Sequence, residues 1–263
     1  MFAWRVFTRE PGASPGAYLT VPELARRGVR IAFTSRQGGR SVAPYSSLNL
    51  SYMAGDDPDV VRANRTRALG AVGGALESWT GGRQVHGTKT VRVGSEQRGA
   101  GWDSPAHVVP DTDALWTDAP DVTLVVLTAD CTPVVFADLD ARRVGVAHAG
   151  WRGLTNGVIE ATVAEIGGAE RLRAFIGPSI GPCCYEVGPD VSDLARERLG
   201  DVVRNVDGKE HLDLWAGTLV ALTRAGVREI WPAALCTKCE PGRFYSHRAG
   251  DVGRQGALVR LES

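Results

Sequence analysis

Thr123-Leu-Val-Val-Leu-Thr-Ala-Asp-Cys-Thr-Pro-Val-Val-Phe-Ala-Asp138, then Leu139-Asp140, then Arg142-Arg-Val-Gly-Val-Ala-His148 reads as a strand, a turn and a returning strand. Val, Leu, Thr and Phe dominate the first arm and Val recurs in the second, as in strands. With the turn centred between Leu139 and Asp140, Cys131 and His148 fall directly opposite one another. Opposed residues of an antiparallel pair hold their Cβ atoms roughly 4.5–5.5 Å apart. That is close enough to share a metal ion or to form a thiol–imidazole pair. A slip of one residue would send the two side chains to opposite faces.

Around this hairpin, helical and strand patterns alternate unevenly. Strands are expected at Arg30–Ser35, Ala174–Gly177, Glu229–Leu235 and Gly256–Leu261. Helices are expected at Pro22–Arg27, Asp57–Ala71, Leu154–Ile166, Pro189–Leu199 and Leu212–Ala225. No repeat or low-complexity linker divides the 263 residues, so one domain spanning 1–263 is expected. The fold class read from this order is α/β: a single layered domain with a mixed β-sheet, a central antiparallel hairpin and flanking helices.

Thirty basic residues balance thirty acidic ones without a long run of either sign. That gives no electrostatic support to nucleic-acid or membrane-surface binding. No stretch reaches membrane-spanning length, and the first ten residues lack the pattern of a secretion signal. The five cysteines are an odd number, which suits a reducing, cytoplasmic setting better than a disulfide scaffold. Cys236-Thr-Lys-Cys239 is a metal half-site at best, and the adjacent Cys183-Cys184 could complete it only with help from the fold. Structural or incidental cysteines, rather than a second metal site, are the favoured reading.

His86, in Arg83-Gln-Val-His-Gly87, offers a second imidazole. His86, Cys131 and His148 make a two-nitrogen, one-sulfur set, and three protein ligands with an open fourth position are how a catalytic zinc is held. Taken singly, each is more often a buried thiol or a hydrogen-bonded histidine. Arg36 beside Gly38-Gly39, and Arg152 between Gly150 and Gly153, are guanidinium forks next to backbone that can approach an anion closely. Arg65 and Arg248 are weaker candidates of the same kind. His247 could carry a proton near neutral pH. Asp113 could orient a ligand histidine or cap a turn, and Asp130 reads as structural.

Gln84-Val-His-Gly87, Thr128-Ala-Asp-Cys-Thr-Pro-Val134 and His148-Ala-Gly-Trp-Arg-Gly153 resemble the signatures of a purine nucleoside phosphorylase family, formerly called multicopper polyphenol oxidase or laccase-domain proteins. Thr34–Gly39, Pro44–Leu50, Asn64-Arg65, Ile176–Ile180 and Phe244–Arg248 extend the resemblance over most of the chain. Ala249–Gln255 departs from the family's closing motif.

The resemblance implies one zinc on His86, Cys131 and His148, with copper(II) the weaker candidate. It also implies phosphorolysis of adenosine and inosine to free base and ribose 1-phosphate, with methylthioadenosine as a further candidate substrate, together with adenosine deaminase activity. Partners would then be purine nucleosides and phosphate, with Arg36, Arg152, His247 and Arg248 as the residues for substrate and phosphate. A monomer or small homo-oligomer is expected.

The competing reading from the residues is a metal-free Cys–His hydrolase or amidase acting on peptide-like cell-wall precursors, with Cys131 as nucleophile and His148 as base. A multicopper oxidase is excluded as the main activity. Five histidines and two methionines are too few ligands for a trinuclear cluster plus a blue-copper site.

Overall fold

The computed structural model describes residues 1–8, 10 and 12–262. Along the chain the strands are β1 (Ala3–Val6), β2 (Ala17–Thr20), β3 (Val29–Thr34), β4 (Trp79–Gly81), β5 (Thr90–Arg92), β6 (Ala114–Thr117) and β7 (Thr123–Thr128). They continue as β8 (Thr132–Asp138), β9 (Arg143–Ala149), β10 (Arg173–Ile176), β11 (Val203–Val206), β12 (Lys209–Leu212), β13 (Glu229–Pro232) and β14 (Gln255–Leu261). The helices are α1 (Pro22–Ala25), α2 (Pro58–Gly70), α3 (Trp151–Thr155), α4 (Val158–Ile166), α5 (Pro189–Leu199) and α6 (Leu214–Arg224).

The expected single mixed sheet is instead two. One runs β1-β2-β3-β14-β7-β4 and the other β13-β10-β8-β9-β6-β5, with β11-β12 as a separate hairpin. Both large sheets mix parallel and antiparallel neighbours. They pack face to face: Ile31, Phe33, Val126 and Val259 of the first meet Val135, Val144, Val146 and Phe175 of the second. The alternate residues face outward onto helices. Val134, Phe136, Ala147 and Ile176 pack against α3–α6, while Ala32, Val125 and Leu258 pack against α2. The result is four layers, helix–sheet–sheet–helix. It explains why β8 is buried at every position and why its sequence reads as an unbroken apolar run rather than an alternation.

The expected strand Thr123–Asp138 is two strands, one in each sheet. Ala129-Asp130-Cys131 forms the crossing, and Asp130 takes a positive φ of 89°. The expected helix Leu154–Ile166 likewise divides into α3 and α4 at Asn156-Gly157.

The hairpin register also differs from the expected one. β8 and β9 pair Pro133 with His148 and Thr132 with Ala149, two residues away from a Cys131–His148 match. The cause lies in the turn. The Asp138 carboxylate accepts the N–H groups of Asp140 and Ala141 at 3.0 and 2.9 Å, and Arg142 adopts a φ of 50°. The loop therefore runs from Leu139 to Arg142 and centres one residue later than assumed. A slip of two preserves the face, so Cys131 stays on the His148 side, diagonal to it and across from Gly150. Among the described residues no helix is long and apolar enough to cross a membrane.

Candidate metal and nucleoside site

Cys131 lies where the chain passes from one sheet to the other, just before β8. His148 is in β9, one residue before its end. His86 arrives from the loop between β4 and β5. That loop is fixed twice. Gln84 pairs in both directions with the Leu127 backbone, accepting its N–H at 2.8 Å and donating to its carbonyl at 2.7 Å. Beyond it, the N–H groups of Val85, His86 and Gly87 converge on the Asp113 carboxylate at 3.0, 3.0 and 2.8 Å.

Asp113 is fully buried. Its Oδ1 also accepts the Nδ1–H of His148 at 2.8 Å. One carboxylate therefore positions both imidazoles. It holds the His86 backbone in its turn, and it turns the His148 Nε2 away from itself. Burial alone would raise the Asp113 carboxyl, but the bonds from His148, Gly87 and Val85 outweigh it and hold it below the usual carboxylate range.

The ligand atoms of His86, Cys131 and His148 lie within 4.8 Å of one another. Cys131 Sγ is 3.8 Å from His86 Nε2, and the two rings meet edge to face with centroids 4.8 Å apart. Burial alone would raise the Cys131 thiol. The charge and hydrogen bond of His148, then those of His86, outweigh burial and bring it down to about 6. Burial would lower His148, but Cys131 and Asp113 carry it up to about 9. Both shifts favour the thiolate–imidazolium form of the pair when no metal is bound.

Gly150, across from Cys131, completes the geometry. A Cβ there would sit 2.7 Å from His86 Cδ2 and 3.0 Å from Cys131 Sγ. The glycine leaves the space that the second imidazole occupies.

The three residues line one wall of a cavity of about 900 Å³, within the range of small-molecule sites. Trp79, Val125 and Leu127 supply an apolar wall. Arg65 also lines the cavity, its guanidinium 4.2 Å from the Tyr52 ring centroid and 4.1 Å from that of Trp79. It donates to the carbonyls of Leu50 and Gly101 at 2.8 and 2.6 Å. Burial lowers its pKa to about 10.

The remaining candidates separate. His247 lines the cavity. Arg36, Arg152 and Arg248 are absent from its lining. Arg36 is committed to Asp251 by contacts of 3.2 Å and to the carbonyls of Ser46 and Pro241 at 3.2 and 3.0 Å. Gly39 beside it yields its Cβ space to Ser47 O and Asn64 Oδ1 rather than to an anion. Arg152 lies over Trp151, and Arg248 lies over Tyr185 while donating to Glu186 O. Asp130 is structural as read: it accepts Thr237 Oγ1 at 2.6 Å and Arg248 N at 2.7 Å.

Sequence reasoning missed Arg254, which lines the cavity with His247. Burial lowers its pKa, and Cys131 and Asp130 oppose that shift. The available signal was position. Arg254 lies in the loop that leads into the closing strand β14, and binding residues gather on loops held by a rigid scaffold.

The donor set suits zinc, with two imidazoles, one thiolate and room for a fourth ligand. It does not suit a multicopper oxidase. His107 is exposed beside Asp103, and His211 is bonded to Pro182 O. Neither joins the group formed by His86, Cys131 and His148.

Residues 30–262 match a family model described as multi-copper polyphenol oxidoreductase laccase. A purine nucleoside phosphorylase of Pseudomonas aeruginosa is 37% identical over 253 residues, covering 94% of this chain and 99% of that protein. One from Deinococcus radiodurans is 38% identical over 250 residues, covering 92% of each chain. The crystal structure of YlmD from Geobacillus stearothermophilus superposes with a TM-score of 0.88 at 34% identity, covering 98% of this chain and 99% of that one. With the signature motifs gathered around one cavity and relatives matched over nearly their whole length, this chain belongs to the YfiH/YlmD family of purine nucleoside phosphorylases, the enzymes grouped under the laccase-domain model.

Proposed function

We propose that the chain is a zinc-dependent phosphorylase of adenosine and inosine, with methylthioadenosine a further substrate and with adenosine deaminase activity at the same centre. The observation that carries this reading is the convergence of His86, Cys131 and His148 on the wall of a nucleoside-sized cavity. The relatives' name supplies the reaction class.

Zinc on these three residues would supply a positive charge and Lewis acidity against a developing anion. The chain's own residues do the rest. Trp79, Val125 and Leu127 offer the purine an apolar surface and exclude water from it. His247 and Arg254 bring N–H donors to the same space, Arg254 with a charge that suits phosphate. Arg152, over Trp151, and Arg248, over Tyr185, remain candidates for the phosphate. Arg36 acts indirectly, by tying the segment that carries His247 through Asp251. Asp113 keeps the His148 proton on Nδ1, so that Nε2 faces Cys131.

The test is to incubate metal-quantified protein with adenosine, with and without phosphate. Phosphate-dependent adenine and ribose 1-phosphate support phosphorolysis, and inosine with ammonia supports deamination. Neither product from zinc-loaded protein would refute the proposal.

One observation favours a second reading. Asp113 bonds to His148, whose other nitrogen lies near the Cys131 thiol, an acid–base–thiol series that suits a metal-free hydrolase of peptide-like substrates. Amide hydrolysis that survives complete chelation would establish it.

A further inference from the structure

Outside the site described above, the fold brings four cysteines together. Cys183 and Cys184 lie on the turn after β10, and Cys236 and Cys239 on the turn after β13. Their four sulfurs lie within 4.8 Å of one another, with Cys239 3.4 Å from both Cys183 and Cys184. Tetrahedral zinc with bonds of about 2.3 Å sets its sulfurs roughly 3.8 Å apart, so the four thiols need only small shifts to enclose an ion.

The backbone is arranged for thiolates as well. Cys236 Sγ accepts the Gly181 N–H at 3.2 Å, and the Cys236 carbonyl accepts the Glu240 N–H at 3.2 Å. This is the turn by which a Cys-x-x-Cys pair presents two sulfurs to one metal. The two segments are held in register independently of the sulfurs. Ser179 and Cys236 form a bridge, Ser179 N donates to Leu235 O at 3.1 Å, and Thr237 N donates to Ser179 O at 3.1 Å.

We infer that Cys183, Cys184, Cys236 and Cys239 bind a second, structural zinc ion in a closed four-sulfur site. Four protein ligands leave no open position, so this ion takes no substrate. Its place in the fold gives it a bracing role. Thr237, between two of the ligands, donates to Asp130, the neighbour of Cys131. Asp130 also receives Ile180 N at 2.9 Å and Arg248 N at 2.7 Å. Tyr185, next to Cys184, carries the Arg248 guanidinium on its ring. A metal joining the two turns would therefore fix the crossing segment from which Cys131 projects.

The experiment counts metal by elemental analysis in protein purified under reducing conditions, saturated with zinc and desalted. Two zinc ions per chain are expected for the parent, and one each for Cys131→Ser and Cys239→Ser. Cys131→Ser is then loaded with cobalt(II). Its remaining ion should show the intense thiolate-to-cobalt absorption and tetrahedral pattern of four sulfur ligands. This reading leaves the cluster unaltered, so it stands even where Cys239→Ser fails to fold. Thiol titration of the chelated, denatured parent should find all five cysteines free. A Cys131→Ser protein without metal, a Cys239→Ser protein that keeps both ions, or two missing thiols that reveal a disulfide would each overturn the inference. Because the count in Cys131→Ser does not depend on the His86 site, its failure is separable from failure of the proposed activity.

Discussion

Gly150→Ala isolates the metal centre from the fold. Gly150 has φ −73° and ψ 167°, a backbone conformation that alanine adopts freely, so the substitution imposes no backbone strain. Its Cβ would meet His86 Cδ2 at 2.7 Å, where ordinary contact begins near 3.4 Å. The His86 ring, which is exposed, must retreat by about 0.7 Å or rotate away. Metal–ligand distances hold within about 0.2 Å of their ideal values, so a displacement several times larger removes His86 from the coordination set. Cys131, 3.0 Å from the same Cβ, is pressed as well. The expected loss of zinc affinity is at least tenfold, about 1.4 kcal/mol, and more if His86 leaves entirely. The assay is competition with a chromophoric chelator, paired with thermal unfolding of the chelated protein. Affinity should fall while the metal-free unfolding midpoint barely moves. Unchanged zinc affinity would refute the three-ligand geometry. An equally large drop in metal-free stability would show that the clash falls on the fold instead.

Asp113→Asn replaces one carboxylate oxygen with a donor, so two of the four N–H groups converging there lose their acceptor. At about 1–3 kcal/mol per unpaired buried donor, and with the exposed His86 loop able to rehydrate, the cost should lie near 2 kcal/mol. Zinc affinity should fall about 10–100-fold, and chemical denaturation with metal competition checks both. In metal-free protein, Cys131 should be alkylated by iodoacetamide with an apparent pKa near 6. In His148→Ala, where burial is opposed only by His86, it should move well upward; an unshifted rate profile would contradict the ion pair.

The same pair sets a pH window for metal-free stability. The raised His148 contributes below its unfolded pKa and loses that contribution as pH rises through about 9. The depressed Cys131 contributes above its unfolded pKa and loses that contribution as pH falls through about 6. Both groups are ionised between those limits, and unfolding midpoints across pH should show losses on each side. Arg254→Ala should reduce phosphorolysis with little change in unfolding. Arg36→Ala should instead destabilise by about 2 kcal/mol, because it strands Asp251 and several carbonyls; kinetics and melting on both variants separate the two roles.

Local chemistry in the sequence was enough to determine several things. The β-branched, apolar arms around Cys131 and His148 read as strands, and strands occupy both. Asp57-Pro58 could be read as a helix start, and Asp57 caps Asp59 N there. His86, Cys131 and His148 stood in motifs whose residue types narrowed the chemistry to a metal centre or a thiol–imidazole pair. Period-two alternation protected the Cys131–His148 relation even against a register error, because a shift of two residues leaves each side chain on its face.

Tertiary structure alone decided the rest. A run buried on both faces reads the same whether helices or a second sheet cover it, so the division of Thr123–Asp138 between two sheets was hidden. The role of Asp113 depends on N–H groups 26–28 residues away and on a histidine 35 residues away. Arg36 and Arg254 look alike as arginines beside glycines, and only their partners show that one is held by Asp251 while the other lines the cavity. The four-cysteine group is the plainest case. Cys183 and Cys239 are 56 residues apart, and nothing short of the folded sheet edge brings their sulfurs into contact.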